Sequence, residues 1–391
     1  MDIMKIREDF PALKRYVWFQ NGGVSMTPAP VAEEHIRLMR ELLERGPMHI
    51  VYPEEENPRR KRTMDRLAGF FSVAPGEMGL MRGVSEAYQT VLRGLDWKAG
   101  DQILLTEEEE GSVLMPTLHL RELFGVEVVK VPLVDNIQSQ VDAFASRITG
   151  RTRLVTFSHV TTDAGHRMPV REISQIARER GAFTFVDMAH SAGLYPMNLH
   201  EMGCDFAGIL SYKWMYAPYA AGALYVRKER LNDLRVTYAG GRAEAWLDFK
   251  KDRFALKENV ERFQYGPWSW PLVHAWFYSM NYLSRIGLDQ IWSRTVVLTT
   301  RLKTGLKQIP GVRLMTPESP AMSAALVTFS LEGWDGFVLQ DALRRRWNIV
   351  IKGFDNIRNG IRTSVPFFIL EEEIDLLLKA LGTLAKEGPG R

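Results

Sequence analysis

The sequence predicts an α/β fold: a doubly wound, mostly parallel sheet with a smaller α+β unit at the C-terminal end. Two observations carry this expectation. Between about residues 65 and 230, apolar runs of four to six residues alternate with helical patterns. Such runs are buried parallel strands joined by crossover helices. After about residue 240 the pattern turns to longer helices with scattered strands, as expected of a second unit of roughly 120 residues.

The elements follow in order. Met64–Phe71 reads as a helix end, Met78–Met81 as a strand and Ser85–Leu95 as a helix. Asp101–Thr106 is a strand, Leu114–Phe124 a helix and Val126–Val131 a strand. Leu154–Ser158 is a strand, Val170–Arg180 a helix and Phe183–Val186 a strand. Ala207–Ser211 and Ala221–Val226 complete the series. Beyond the interruption at Trp268–Pro271, helices are expected at Leu272–Ile286, Val296–Ile309, Phe337–Arg346 and Glu371–Ala385. Strands are expected at Ala324–Phe329, Asn348–Ile351 and Ile361–Ser364. The implied division is a large domain over residues 21–270 and a small one from residues 1–20 and 271–391.

Composition narrows the function classes. The 391 residues are 46% hydrophobic and 25% charged, with a net charge of +3, ordinary values for a globular protein. So small a charge gives no reason to expect nucleic acid or a membrane surface as partner. The basic clusters Arg59–Arg62 and Arg344–Arg346 read as solvated helix faces. No apolar run approaches the ~18 residues of a membrane span. The opening MDIMKIREDFPALKRY is charged throughout, unlike a signal peptide, so the cytoplasm is the expected location. A single cysteine, Cys204, leaves no intrachain disulfide and no multi-cysteine metal site; no metal is expected.

The chemistry concentrates in Phe183–Val226. One apolar run puts Asp187 at a strand end, with His190 three residues on. The next delivers Ser211, Tyr212 and Lys213. In open α/β sheets, ligands lie beyond the carboxyl ends of strands. Lys213 sits in a stretch almost free of other charges, where an ammonium titrates low and becomes a competent nucleophile. An acid and a lysine so placed suit pyridoxal 5'-phosphate (PLP), whose aldehyde takes an amine and whose ring nitrogen takes a carboxylate. Gly83, Val84 and Ser85, at a strand-to-helix turn, supply free N–H groups for a phosphate. Read singly, Ser85 is equally a helix cap, Asp187 another cap and His190 a packed side chain.

Taken together, the motifs resemble class V aminotransferases of PLP fold type I, the group that includes cysteine desulfurases, cysteine lyases and isopenicillin N epimerase-like proteins. The resemblance covers nearly the whole chain. It is carried by Asn21-Gly-Gly23, Arg82–Ala87, Ser158-His-Val160, Val186-Asp-x-Ala-His190, Ser211-Tyr-Lys213, Arg262-Phe-x-x-Gly266 and Arg362-x-Ser364. It implies Lys213 as the Schiff-base lysine and proton shuttle, Asp187 on the ring nitrogen and His190 near the ring 3'-oxygen. It implies Ser85, Ser211 and Tyr212 on the phosphate. Arg362 would fork onto the substrate carboxylate, with Asn21 and Thr162 nearby. Fold type I sites lie between subunits, so a homodimer is implied.

Three departures stand out. Where the family places a histidine or aromatic ring over the cofactor, this chain has Glu107–Gly111; either Glu110 acts as an acid/base there or the run is a solvated loop, the second being the favoured expectation. Pro267 and Thr162 replace a threonine and an asparagine of the family. No cysteine follows residue 204, from which the chain is expected not to be a persulfide-forming cysteine desulfurase. The expected activity is transamination or C–S lyase-type β-elimination at Cα of an amino acid or amine, through an external aldimine. The alternatives are epimerisation and an altered homologue with a binding role.

Overall fold

Seven strands form the central sheet: β1 (Met78–Met81), β2 (Gln102–Thr106), β3 (Glu127–Val131), β4 (Thr152–Ser158), β5 (Phe183–Asp187), β6 (Phe206–Leu210) and β7 (Gly222–Val226). Their spatial order is β1-β7-β6-β5-β4-β2-β3. All neighbours are parallel except β7, which runs antiparallel to both β1 and β6. The computed structural model describes residues 1–355 and 359–389. Helices cover the sheet, so its inner strands are buried along their length, as the continuous apolar runs require.

Local rules explain the helices that matter. Val170–Glu179 buries Val170, Ile173 and Ala177, an i, i+3, i+7 stripe against the sheet; each large aliphatic side chain so buried contributes roughly 1.5–3 kcal/mol. Gly125 ends Gly111–Phe124 in a left-handed conformation, which a residue without Cβ adopts at little cost. Pro271 stands in the first turn of Trp270–Ile286, where its missing N–H is no loss.

A second, antiparallel sheet has the order β8-β9-β11-β10, from Val312–Leu314, Leu326–Leu331, Lys352–Phe354 and Gly360–Ser364. The helices Leu288–Leu306 and Glu371–Glu387 pack on each other beside it. The expected strand Asn348–Ile351 shrinks to Ile349–Val350, which pairs in parallel with Val17–Trp18. The chain then bridges Gln20 to Ser364 before reaching Asn21. Among the described residues, no helix is long and apolar enough to cross a membrane.

Candidate active site

Parallel pairing lines up the carboxyl ends of β4, β5 and β6, with Ser158 opposite Asp187 and Asp187 opposite Gly208. Lys213 follows three residues after β6 ends. It is only 7% exposed, and its Nζ lies 3.3 Å from His190 Nε2. Burial pushes the Lys213 ammonium down to about 8, against the attraction of Glu110 and Asp187. Burial, aided by the Lys213 charge, pushes His190 down to about 3, so the imidazole is neutral.

Asp187 accepts the Ala189 amide at 2.7 Å and meets Ser112 Oγ only at 3.4 Å. Burial pushes its carboxyl up to about 6, opposed by the Ala189 N–H and Lys213. Beside these groups lies a cavity of about 310 Å³, lined by Gly83, Val84, Ser85, Glu110, Tyr212 and Lys213 among others. The helix Val84–Gly94 opens on this cavity with no side-chain cap. Its first internal bond runs from Ala87 N to Gly83 O, which leaves the amides of Val84, Ser85 and Glu86 for a ligand. The Glu86 carboxylate folds back onto the Arg82 amide and guanidinium. Gly222 at the start of β7 makes this turn possible: a Cβ there would lie 2.8 Å from Gly83 Cα and 2.6 Å from Ile209 O.

The far end of the site holds Arg362, 1% exposed. Its Nη1 donates to the Thr162 carbonyl at 2.9 Å and to Thr162 Oγ1 at 2.8 Å. Asn21 is fully buried and donates to the Lys213 carbonyl at 3.2 Å. A larger cavity of about 780 Å³, between the helices Ala29–Arg45 and Pro53–Phe70, shares none of these residues. The smaller one holds Lys213 and the uncapped start of the helix Val84–Gly94, beyond the carboxyl ends of the strands, where ligands of open α/β sheets lie.

Comparison with known proteins fits this geometry. The sequence profile described as aminotransferase class-V matches residues 18–377. The chain belongs to that family. It is 25% identical to a probable cysteine desulfurase of Methanothermobacter thermautotrophicus, covering 98% of each chain. It is 29% identical to the isopenicillin N epimerase of Streptomyces clavuligerus, covering 83% of this chain and 84% of that one. Two solved structures of the cystine C–S lyase C-DES each superpose with a TM-score of 0.89 at 25% identity. One carries glycine covalently linked to the PLP cofactor and covers 96% of this chain and 98% of its own. The other holds the reaction product cysteine persulfide and covers 95% and 99%.

The fold is therefore PLP fold type I and the cofactor is pyridoxal 5'-phosphate. The residues present fit this group. Asp187 is a buried carboxylate with one short hydrogen bond, Lys213 is a buried amine, and three helix-start amides await an anion. Buried His190 Nδ1, Asn21 Oδ1 and Arg362 Nε have no hydrogen-bond partner among the described residues, which leaves them able to meet a polar ligand.

Three expectations need correction. Exclusion of a persulfide-forming desulfurase does not stand: the relatives include probable cysteine desulfurases and a C–S lyase solved with its reaction product cysteine persulfide. The exclusion assumed that a persulfide must form on a protein cysteine, whereas a persulfide released as a small molecule requires none.

Ser211, expected on the phosphate, instead donates its hydroxyl to the Pro218 carbonyl.

Nor is the acidic loop solvated. Glu108 is 1% exposed and accepts the Ala164 amide at 2.7 Å. Glu109 is 8% exposed and caps the end of β4 at Ser158. Glu110 faces the cavity and accepts Thr162 Oγ1 at 2.6 Å. Their one signal in the sequence was the length of the acidic run beside a strand end.

Proposed function

We propose that this PLP enzyme cleaves a C–S bond by β-elimination from a sulfur-containing α-amino acid, releasing the sulfur as a thiol or persulfide. The observation that carries this reading is the Lys213 amine, buried 3.3 Å from neutral His190, between an acid at one strand end and an arginine at the other end of the site. PLP supplies an electron sink for the charge left on Cα when a proton departs. In this proposal Lys213 holds the cofactor's aldehyde carbon and then moves the Cα proton; a nitrogen titrating near 8 is matched to that task. Asp187 pairs with the ring nitrogen and His190 flanks the ring oxygen. Gly83 and the amides of Val84 and Ser85, with Tyr212, hold the phosphate. Arg362, set by Thr162, orients the substrate carboxylate, and Asn21 fixes the Lys213 backbone. A cystine C–S lyase of the same fold supports elimination among the reactions open to the family.

A homodimer is part of the proposal. Ile36, Met39 and Leu43 on the helix Ala29–Arg45 and Trp246, Phe249 and Phe254 on the hairpin over residues 244–256 are exposed, which suits a second copy of the chain. Residues 21–270 and 1–20 with 271–391 would act as its large and small domains.

The test incubates the PLP-loaded protein with cystine, cysteine and other amino acids. Pyruvate, ammonia and trapped thiol or persulfide are expected without any keto-acid acceptor, and not from Lys213→Ala. Turnover that requires an acceptor would replace this reading with transamination. Solvent-deuterium incorporation with inversion and no sulfur release would replace it with epimerisation.

A further inference from the structure

Arg362 is a guanidinium cut off from water, and a buried cation needs a counter-charge. Two carboxylates act on it, Glu110 first and then buried Asp163, and Glu110 Oε1 lies 3.9 Å from Arg362 Nη1. The Thr162 hydroxyl joins the two. It accepts from Arg362 at 2.8 Å and donates to Glu110 at 2.6 Å, so its single proton gives the chain one direction, from guanidinium to hydroxyl to carboxylate. Glu110 also stands 3.7 Å from His190 Nε2. The same nitrogen faces the Lys213 amine at 3.3 Å. His190 foremost, then Lys213 and the Thr162 hydroxyl, hold the Glu110 carboxyl well below the usual range, outweighing burial.

We propose that Glu110 is a specificity-determining residue: through Thr162 it is the resident counter-ion of Arg362, which a substrate carboxylate has to displace. The inference rests on the reading of Arg362 as the substrate-carboxylate site. An anion that docks on Arg362 comes within a few ångströms of Glu110, and like charges so close in a poorly solvated pocket repel. A ligand that brings a cationic group along with its carboxylate meets both partners and escapes the penalty. The site therefore selects zwitterionic ends over plain anions. Lys352, directly opposite Arg362 in the antiparallel pair β10–β11, adds a second positive charge on the same sheet face. Glu110 and Asp163 both offset this pair of cations.

The test uses two probes with no amine able to react with PLP: propionate, a plain anion, and glycine betaine, a zwitterion. Binding to the PLP-loaded protein is read from the visible band. Wild type should bind betaine more tightly than propionate. Glu110→Gln should bind propionate at least fivefold more tightly than wild type does, and Glu110→Asp, which keeps the charge, should stay close to wild type. A second readout is the pH midpoint of the band, set by the Lys213 nitrogen among Glu110, Asp187, His190, Tyr212, Lys352 and Arg362. Loss of the Glu110 charge should move it to lower pH in Glu110→Gln and leave it near wild type in Glu110→Asp. A smaller gain in propionate affinity, or equal shifts in the Gln and Asp variants, overturns the proposal. The probes report binding and not turnover, so failure of the β-elimination reading would appear separately, as missing pyruvate and ammonia.

Discussion

Glu109 grips Ser158 from two directions. Its carboxyl oxygens take the Ser158 amide at 3.1 and 3.3 Å, and Oε2 takes the hydroxyl at 2.8 Å. This clamp fixes the end of β4 beside Asp187, and it does so with a group that burial pushes up to about 8.

That value sets a pH dependence. The usual carboxyl of 4.5 applies to the unfolded chain, so the folded state holds the Glu109 proton between about 4.5 and about 8. A group whose pKa rises on folding contributes its full stability below the lower value and loses it as pH climbs to the upper one. Glu109→Gln mimics the protonated form. It should match wild type near pH 5 and exceed it near pH 9, by on the order of a few kcal/mol. Thermal melts of both proteins across that range check this; parallel curves would refute it.

Asp187→Asn keeps the shape but removes the charge proposed to face the ring nitrogen. Turnover should fall roughly 10²-fold or more, since a general-acid or electrostatic partner typically contributes about that much. The cofactor-free protein should be no less stable at pH 8, because burial already disfavours the Asp187 carboxylate. Steady-state rates and melts of the cofactor-free protein, measured side by side, separate the two effects. A large loss of stability with normal turnover would contradict the assignment.

Arg362→Lys tests the carboxylate end. Lysine keeps the charge and loses the planar fork. KM for an α-amino acid should rise roughly 10-fold or more, since charge-assisted bidentate pairs are the strong ones, while kcat changes less. Unchanged KM with collapsed kcat would place Arg362 elsewhere in the mechanism.

Gly222→Ala reaches the phosphate turn without touching any ligand. The new methyl would sit 2.6 Å from Ile209 O and 2.8 Å from Gly83 Cα, and backbone cannot yield as a side chain tip can. We expect at least tenfold weaker PLP retention together with a lower melting temperature. Equilibrium dialysis of PLP and calorimetry report the two; tight PLP binding in a stable variant would show that the turn tolerates displacement.

Much of this was legible in the sequence, for a physical reason. Buried parallel strands are continuous apolar runs, so β1 through β7 stood out, and Asp187 and Lys213 fell at their carboxyl ends. The short strands Val312–Leu314 and Lys352–Phe354 and the hairpin over residues 244–256 did not. They are too short or too exposed to leave a period. Glu108, Glu109 and Glu110 were the harder failure. A run of like charges reads as solvated, because the groups that reverse this, the Ala164 amide, the Ser158 clamp and the Thr162 hydroxyl, lie about 50 residues away along the chain. Ser211 misled in the opposite sense: its motif was present, but a turn of seven residues brings the Pro218 carbonyl to its hydroxyl.

The parallel stitch of Val17–Trp18 on Ile349–Val350 has a consequence for how the molecule is made. Arg7 also reaches Glu373 and the Phe368 carbonyl, contacts 366 and 361 residues apart in the sequence. Contacts this distant in sequence carry a large loop-closure cost and are slow to form. Asn21, at the end of that segment, donates to the Lys213 carbonyl, so the support it gives the lysine loop is coupled to this long-range closure.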